Sequence, residues 1–135
     1  MSSSLSTTTA PDSPTRKRQL AAFGLWSVTI VLAGMFLFAG GSKLAGVAAM
    51  VELFDAVGVG QWLRYLTGGI EVLSAVAILV PPLSAFGAAA LAVTMVGAIA
   101  THLFIIGGSP GVPLLLLSGA LVVVWARRNQ LSRVF

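Results

Sequence analysis

Four long apolar segments dominate the chain and predict four membrane-spanning helices. They cover residues 20–42, 61–80, 83–106 and 112–126. At roughly 1.5 Å per residue, about 20 residues of helix cross a hydrocarbon core of about 30 Å. Pro81 and Pro82 end the second segment because neither proline has a backbone N–H to donate. A cluster of Gly, Ser and Pro at residues 107–111 separates the third and fourth segments by its turn chemistry.

A shorter segment with a different pattern, residues 44–60, joins the first two spans. Its apolar residues at helical spacing are Val47, Val51, Phe54 and Val57, and its acidic residues on the other side are Glu52 and Asp55. This periodicity predicts a short amphipathic helix at the membrane interface or folded over the mouth of the bundle. Both acids are expected to form its solvated face.

Composition points to a chain embedded in lipid. Hydrophobic residues make up 57% of the sequence and charged residues 9%, whereas soluble domains carry about 25% charged residues. We therefore predict an all-α membrane protein, a four-transmembrane-helix bundle with a short interfacial helix between helices one and two. Residues 1–19 are predicted to be a disordered Ser/Thr-rich cytoplasmic tail, residues 20–126 the transmembrane domain, and residues 127–135 a basic cytoplasmic tail.

The basic residues predict the orientation of the bundle. Six of the eight flank the first and last spans: Arg16, Lys17, Arg18, Arg127, Arg128 and Arg133. Cytoplasmic segments carry an excess of Lys and Arg, and four crossings place both termini on one side. We therefore expect an inner or plasma membrane location with cytoplasmic N and C termini. Because most of the basic residues flank the spans, the net charge of +4 reflects membrane topology and not a phosphate-binding surface. The expected partner is therefore lipid and not nucleic acid.

Several kinds of chemistry are excluded by the residues present. The chain contains no cysteine, which rules out thiol redox chemistry and cysteine-ligated metal. No Ser-His-Asp order, P-loop or dinucleotide fingerprint occurs. One histidine with Glu71 falls short of the three or four protein ligands of a typical metal site, so no metal is predicted. Catalytic residues cannot be assigned, and whether the protein is an enzyme is left open.

Four ionisable residues lie within the predicted spans or at their ends: Lys43, Arg64, Glu71 and His102. A charged side chain in hydrocarbon costs several kcal/mol or more, so each needs a partner or access to water. Counting from the outer span ends, Gln61 and Ile106, places Glu71 roughly 15 Å deep and His102 roughly 6 Å deep. All four are therefore expected in the outer half of the bundle. Arg64, Gly68, Glu71 and Ala75 share one face of helix two.

Three interpretations of this cluster are open. In the first, Glu71 accepts hydrogen bonds from Lys43, Arg64, His102 or Thr101 and fixes the helix register. In the second, an outward-open pocket lets Glu71 and His102 orient, or exchange protons with, an amphipathic ligand such as a quinone. Lys43 and Arg64 would then tune the charge of that pocket. In the third, Glu71 stands alone and carries a proton.

The order of these landmarks resembles that of the DoxX family of small four-helix membrane proteins. The landmarks are the end of helix one at residues 36–44 (FLFAGGSKL), Phe54 with Gly58, residues 68–71 (GGIE), and residues 95–102. This resemblance covers most of residues 24–125. It implies an inner-membrane protein linked to quinone-dependent respiratory or sulfur-compound oxidation, or to oxidative-stress complexes. Lys43, Glu71 and His102 are the polar positions that carry over.

The leading functional hypothesis is a membrane subunit of a quinone-linked oxidoreductase system, with no covalent cofactor, a bound quinone and a redox-protein partner. The alternative is a noncatalytic membrane scaffold or assembly factor that recruits redox enzymes, which the lack of cysteine and of prosthetic-group motifs favours. A third hypothesis, a small transporter acting as a homo-oligomer, is weakened by the absence of internal repeats and clearly broken helices.

Overall fold

The computed structural model describes residues 14–133, and this part of the chain is helical, without strands. Its α-helices are α1 (Pro14–Ala45), α2 (Ala48–Val57), α3 (Trp62–Leu79), α4 (Ser84–Thr101), α5 (Gly111–Ala126) and α6 (Arg128–Ser132). A 3₁₀ turn, Pro81–Leu83, precedes α4, and a π-helical turn, His102–Ile106, continues it.

The lengths and hydropathies of these helices confirm the predicted all-α membrane bundle. α1, α3 and the continuous Pro81–Ile106 segment are long and apolar enough to cross a membrane, with mean hydropathies of 2.1, 1.3 and 2.1. α5 is also apolar but has only 16 residues, about 24 Å of helix. Trp125 and the arginines that follow α5 can extend its reach into the headgroup region.

The chain termini differ in part from the predicted tails. α1 begins at Pro14, so residues 14–19 are helical where a disordered tail was predicted. Proline is favoured in a first helical turn, and the Arg, Lys and Gln residues after it are good helix formers. In the predicted C-terminal tail, residues 128–132 form α6. The rest of the predicted N-terminal tail, residues 1–13, and residues 134–135 lie outside the described part.

Small residues bring the spans into close contact. At Gly40 of α1, an added Cβ would lie 2.9 Å from the backbone oxygen of Gly68 on α3. At Gly68, an added Cβ would lie 2.9 Å from Cβ of Lys43 and 3.0 Å from the oxygen of Gly40. Gly87 of α4 packs just as closely against α3, since its added Cβ would lie 2.8 Å from the Ser74 oxygen. Membrane helices commonly pack through such small residues.

The core lies between α1, α3, α4 and α5, and large apolar side chains also cover the outside. Fully buried core residues include Phe36, Ala75, Ile78, Leu91 and Val123. On the outer surface, Phe38 is 80% exposed, Leu73 74% and Phe104 84%. Exposed apolar side chains in these numbers are expected where the surrounding solvent is lipid.

The C-terminal helix α6 returns to the start of α4 and caps it. The first backbone N–H groups of a helix have no partner within the helix. Gln130 supplies one: its Oε1 accepts from the N–H of Ala85 at 3.0 Å, and its Nε2 donates to the Pro81 oxygen at 2.5 Å. α6 is therefore part of the folded domain.

The contact at Gly68 yields a matched pair of substitutions. Gly68→Ala should destabilise the fold by about 1–3 kcal/mol, because the methyl group meets the backbone of α1. Gly69→Ala adds the same methyl in the same helix where nothing lies within 4 Å, so it should be neutral or slightly stabilising. Thermal unfolding midpoints of the purified variants in detergent would measure both effects. Equal midpoints for the two variants would contradict the close crossing of α1 and α3.

Candidate functional site

One face of α3 carries the polar residues of the site into the bundle. Arg64 is 4% exposed, Glu71 1% and Ala75 0%, and Gly68 is also buried. Their spacing places all four residues on one side of the helix, as the sequence predicts. Because Gly68 lets α1 approach closely, the polar side chains of the two helices can meet.

Glu71 forms an ion pair with Lys43 across this contact. Lys43 Nζ donates to Glu71 Oε2 at 2.9 Å, and the two side chains are 14% and 2% exposed. A buried carboxylate that lost its partner would be strongly destabilising, because the desolvation of the charge would not be offset. Of the four donors considered for Glu71, Lys43 is the one that the structure brings to it.

Arg64 does not reach Glu71 but caps the end of α1. Its Nη1 donates to the backbone oxygen of Lys43, and its Nε donates to Gln61 Oε1 at 2.7 Å. Its guanidinium also lies 4.2 Å from the centroid of the Tyr65 ring. The last carbonyl groups of a helix lack partners within the helix, so Arg64 stabilises the turn that presents Lys43.

The other predicted site residues border a cavity of about 490 Å³ at the end of the bundle away from the chain termini. The cavity wall is mainly apolar. Its polar side chains are those of Lys43, Thr67, Glu71, Thr94, Thr101 and His102. Arg64 is not part of the wall. The structure therefore gathers three of the four candidates around one space, and the fourth, in the first turn of α3, supports the end of α1.

His102 lies at the change from α-helix to π-helical turn. Its Nδ1 is 2.8 Å from the backbone oxygen of Ala98. A carbonyl oxygen only accepts, so Nδ1 carries the hydrogen, and Nε2 is the ring nitrogen left for a ligand. π-helical turns are often found at functional sites. His102 thus adds a ring nitrogen to a wall that already contains the Lys43–Glu71 ion pair.

Of the threonines in the cavity wall, Thr101 was considered from the sequence as a donor to Glu71, and Thr67 and Thr94 were not singled out. Their hydroxyls donate to carbonyls one turn earlier in their own helices: Thr67 to Leu63, Thr94 to Ala90 and Thr101 to Gly97. With the hydrogen used in this way, each oxygen presents its lone pairs as acceptors. Residues 94, 98 and either 101 or 102 are three or four positions apart and so share one face of α4, and this spacing could have identified the threonines of that helix from the sequence.

The short helix α2 forms one side of the cavity, in agreement with its predicted place over the bundle mouth. Its cavity-lining residues are Met50, Leu53, Phe54 and Val57. The side that faces the cavity therefore includes Met50 and Leu53, and Val47 and Val51 of the predicted apolar face do not line it. Gly58 ends α2 in a left-handed conformation with φ of 80°. Glu52 and Asp55 are exposed, as predicted for its solvated side.

Gln61 ties α2 to α3. Its Nε2 donates to the Val51 oxygen at 3.1 Å and to Asp55 Oδ1 at 2.7 Å. Since its Oε1 also accepts from Arg64, hydrogen bonds connect the outer side of α2 to the end of α1. Arg64, which binds the backbone oxygen of Lys43, is therefore also connected through Gln61 to the cavity wall formed by α2.

The fold and this site define a small multi-pass helical membrane protein with a polar patch in a mainly apolar cavity. The sequence profile of the DoxX-like family matches residues 27–128. The chain therefore belongs to the DoxX-like family, as the resemblance of its landmarks suggested, and the match includes every residue that lines the cavity. No curated protein and no solved structure matches the chain significantly.

The ion pair yields a prediction about stability. Lys43→Met leaves Glu71 buried without its partner and should destabilise the protein by about 3–5 kcal/mol. The double variant Lys43→Met/Glu71→Gln removes both charges and should recover most of that loss. Neither change affects the backbone oxygen of Lys43 that Arg64 binds. Unfolding midpoints in detergent would test this, and a double variant no more stable than Lys43→Met would show that the pair is not coupled.

Proposed function

We propose that the cavity binds the head group of a membrane quinone and that the protein is a membrane subunit of a quinone-linked oxidoreductase system. The observation that carries this proposal is the cavity itself, about 490 Å³ and mainly apolar, with Lys43, Glu71 and His102 in its wall. Small-molecule sites typically have volumes of about 300–1,000 Å³ and combine apolar walls with a few polar groups.

The residues present fit a quinone. Its ring is flat and apolar, and side chains such as Phe36, Phe54 and Met95 offer it an apolar wall. Its two carbonyl oxygens accept hydrogen bonds. Lys43 has three N–H donors, of which one is directed to Glu71, and a protonated His102 can donate from Nε2. The threonine oxygens suit the hydroxyl groups of the reduced form, which donate.

When bound, a quinone supplies two-electron, two-proton redox chemistry. The side chains of this protein would hold the ring and handle protons, with His102 Nε2 and the Glu71 carboxylate as the exchanging atoms. Lys43 would favour the ionised form of Glu71 while the two are paired, and would favour negative charge on the ligand oxygens. The chain has no cysteine, so a redox-protein partner would supply or accept the electrons.

The charge distribution supports an orientation for this site. Six basic residues lie beside the first and last spans, at the end of the bundle that holds both termini. By the positive-inside rule, that end would lie in the cytoplasm. The cavity would then open towards the opposite face of an inner or plasma membrane, within reach of quinones in the bilayer.

Binding can be tested with the protein extracted in its native lipids. We expect stoichiometric quinone by mass spectrometry, and a roughly fivefold weaker affinity of His102→Leu for a short-chain quinone, equivalent to one hydrogen bond of about 1 kcal/mol. The variant should fold normally, because the Ala98 oxygen also accepts from the backbone N–H of residue 102. Glu52→Gln, on the exposed side of α2, is the control and should bind like wild type.

Two results would overturn this proposal. The first is unchanged quinone affinity in the double variant Glu71→Gln/His102→Leu. The second is a protein partner that co-purifies in constant ratio while no quinone is present, which would identify the protein as a scaffold or assembly factor.

A further inference from the structure

A second concave surface lies between α1 and α5, near the end of the bundle that holds the termini. It is a groove of about 380 Å³. Its wall is apolar and includes Ala21, Ala22, Gly24 and Leu25 of α1 and Trp125 and Ala126 of α5. The small side chains on α1 leave this space open between two helices that both continue into the headgroup region. In a bilayer, such a groove is accessible to lipid chains.

Positive charges surround the headgroup end of this groove. Arg127 follows Ala126 directly, and its guanidinium lies 5.3 Å from the Trp26 ring of α1. Arg128 lies 4.7 Å from the Trp125 ring, which forms part of the groove. Arg18 precedes Ala22 by one helical turn and therefore occupies the same face of α1.

No acidic residue offsets these charges within residues 14–133. The acids of that range are Glu52 and Asp55 on α2 and Glu71 beside the cavity. Within the same range, Arg127 forms no ion pair and its buried Nε has no hydrogen-bond partner. A guanidinium presents five N–H donors that suit a phosphate. The groove thus joins an apolar surface to a cationic end that no acidic residue of 14–133 offsets.

We propose that this groove binds an anionic phospholipid, with one acyl chain along α1 and α5 and the phosphate held by Arg127 and Arg18. Basic sites between membrane helices at the headgroup level bind anionic head groups in this manner. A zwitterionic lipid would bring its own cation close to these arginines and is disfavoured. This site is separate from the cavity and does not depend on the proposed quinone function.

A groove-filling substitution tests the acyl-chain contact without changing any charge. Gly24 lines the groove and an added Cβ there meets nothing within 4 Å, so the longer side chain of Gly24→Leu is expected to extend into the groove. Gly34→Leu is the matched control, because Gly34 lies in the same helix, has equally open space and is outside the groove. The full-length protein would be released from nanodiscs of equal phosphatidylcholine and phosphatidylglycerol and examined by native mass spectrometry.

We expect wild type and Gly34→Leu to retain one phosphatidylglycerol per chain in preference to phosphatidylcholine, and Gly24→Leu to lose that preference. Arg127→Gln should lower retention about fivefold. Arg133→Gln, which removes the same charge beyond α6, should have a smaller effect. If Arg127→Gln does not fold, the comparison of Gly24→Leu with Gly34→Leu still tests whether the groove binds the lipid.

Three outcomes would overturn this proposal. One is equal retention of the two lipids by the wild-type protein. Another is undiminished phosphatidylglycerol retention in Gly24→Leu. The third is a lipid-free dimer that Gly24→Leu dissociates, which would assign the groove to a second copy of the chain.

Discussion

The cost of burying charge in a membrane is the constraint on which the cavity end of this protein depends. Glu71 can be ionised there because Lys43 is at hydrogen-bond distance, and that distance requires α1 and α3 to cross closely at Gly40 and Gly68. Larger residues at the crossing would separate the helices and leave two charges unpaired in a region of low dielectric. The glycines are therefore a condition for the ion pair, and the ion pair in turn favours this register of the two helices.

The two ends of the bundle handle charge in opposite ways. At the cavity end, the Lys43 cation is matched by a carboxylate, and Arg64 is satisfied by carbonyl oxygens and an aromatic ring. At the other end, Arg127 and Arg128 lie over tryptophan rings without ion pairs to residues 14–133. Pairing within the protein suits charges that are buried between helices. Unpaired arginines suit a surface that meets the headgroups of lipids.

Much of the fold could be predicted from the sequence because the bilayer imposes a simple rule of length and hydropathy. The prolines at residues 81–82 and the glycine-rich turn at 107–111 bounded the spans correctly. The partner of Glu71 could not be chosen in the same way, since Lys43, Arg64, His102 and Thr101 were all plausible by depth. That choice depends on how α1 crosses α3 and on Arg64 binding the end of α1, which are tertiary features. The residues of α2 that face the cavity differ from the predicted ones for a similar reason. Packing of α2 against the bundle, and not the periodicity of its own sequence, decides which of its residues face inward.

The π-helical turn at the end of α4 shows how the chain combines a cavity wall and a lipid surface in a few residues. His102 and Ile106 line the cavity, while the residues between them, Leu103, Phe104 and Ile105, are 58%, 84% and 55% exposed. A π-helical turn is wider than an α-helical one because its hydrogen bonds span five residues. That extra width accommodates three consecutive lipid-facing side chains and returns the chain to the cavity at Ile106. At the start of this turn the Ala98 oxygen accepts from both the backbone and the ring of His102, which fixes the ring at the cavity wall. A strictly α-helical end would tend to rotate Ile106 and the following turn away from this position, so the irregularity is part of how the cavity is built.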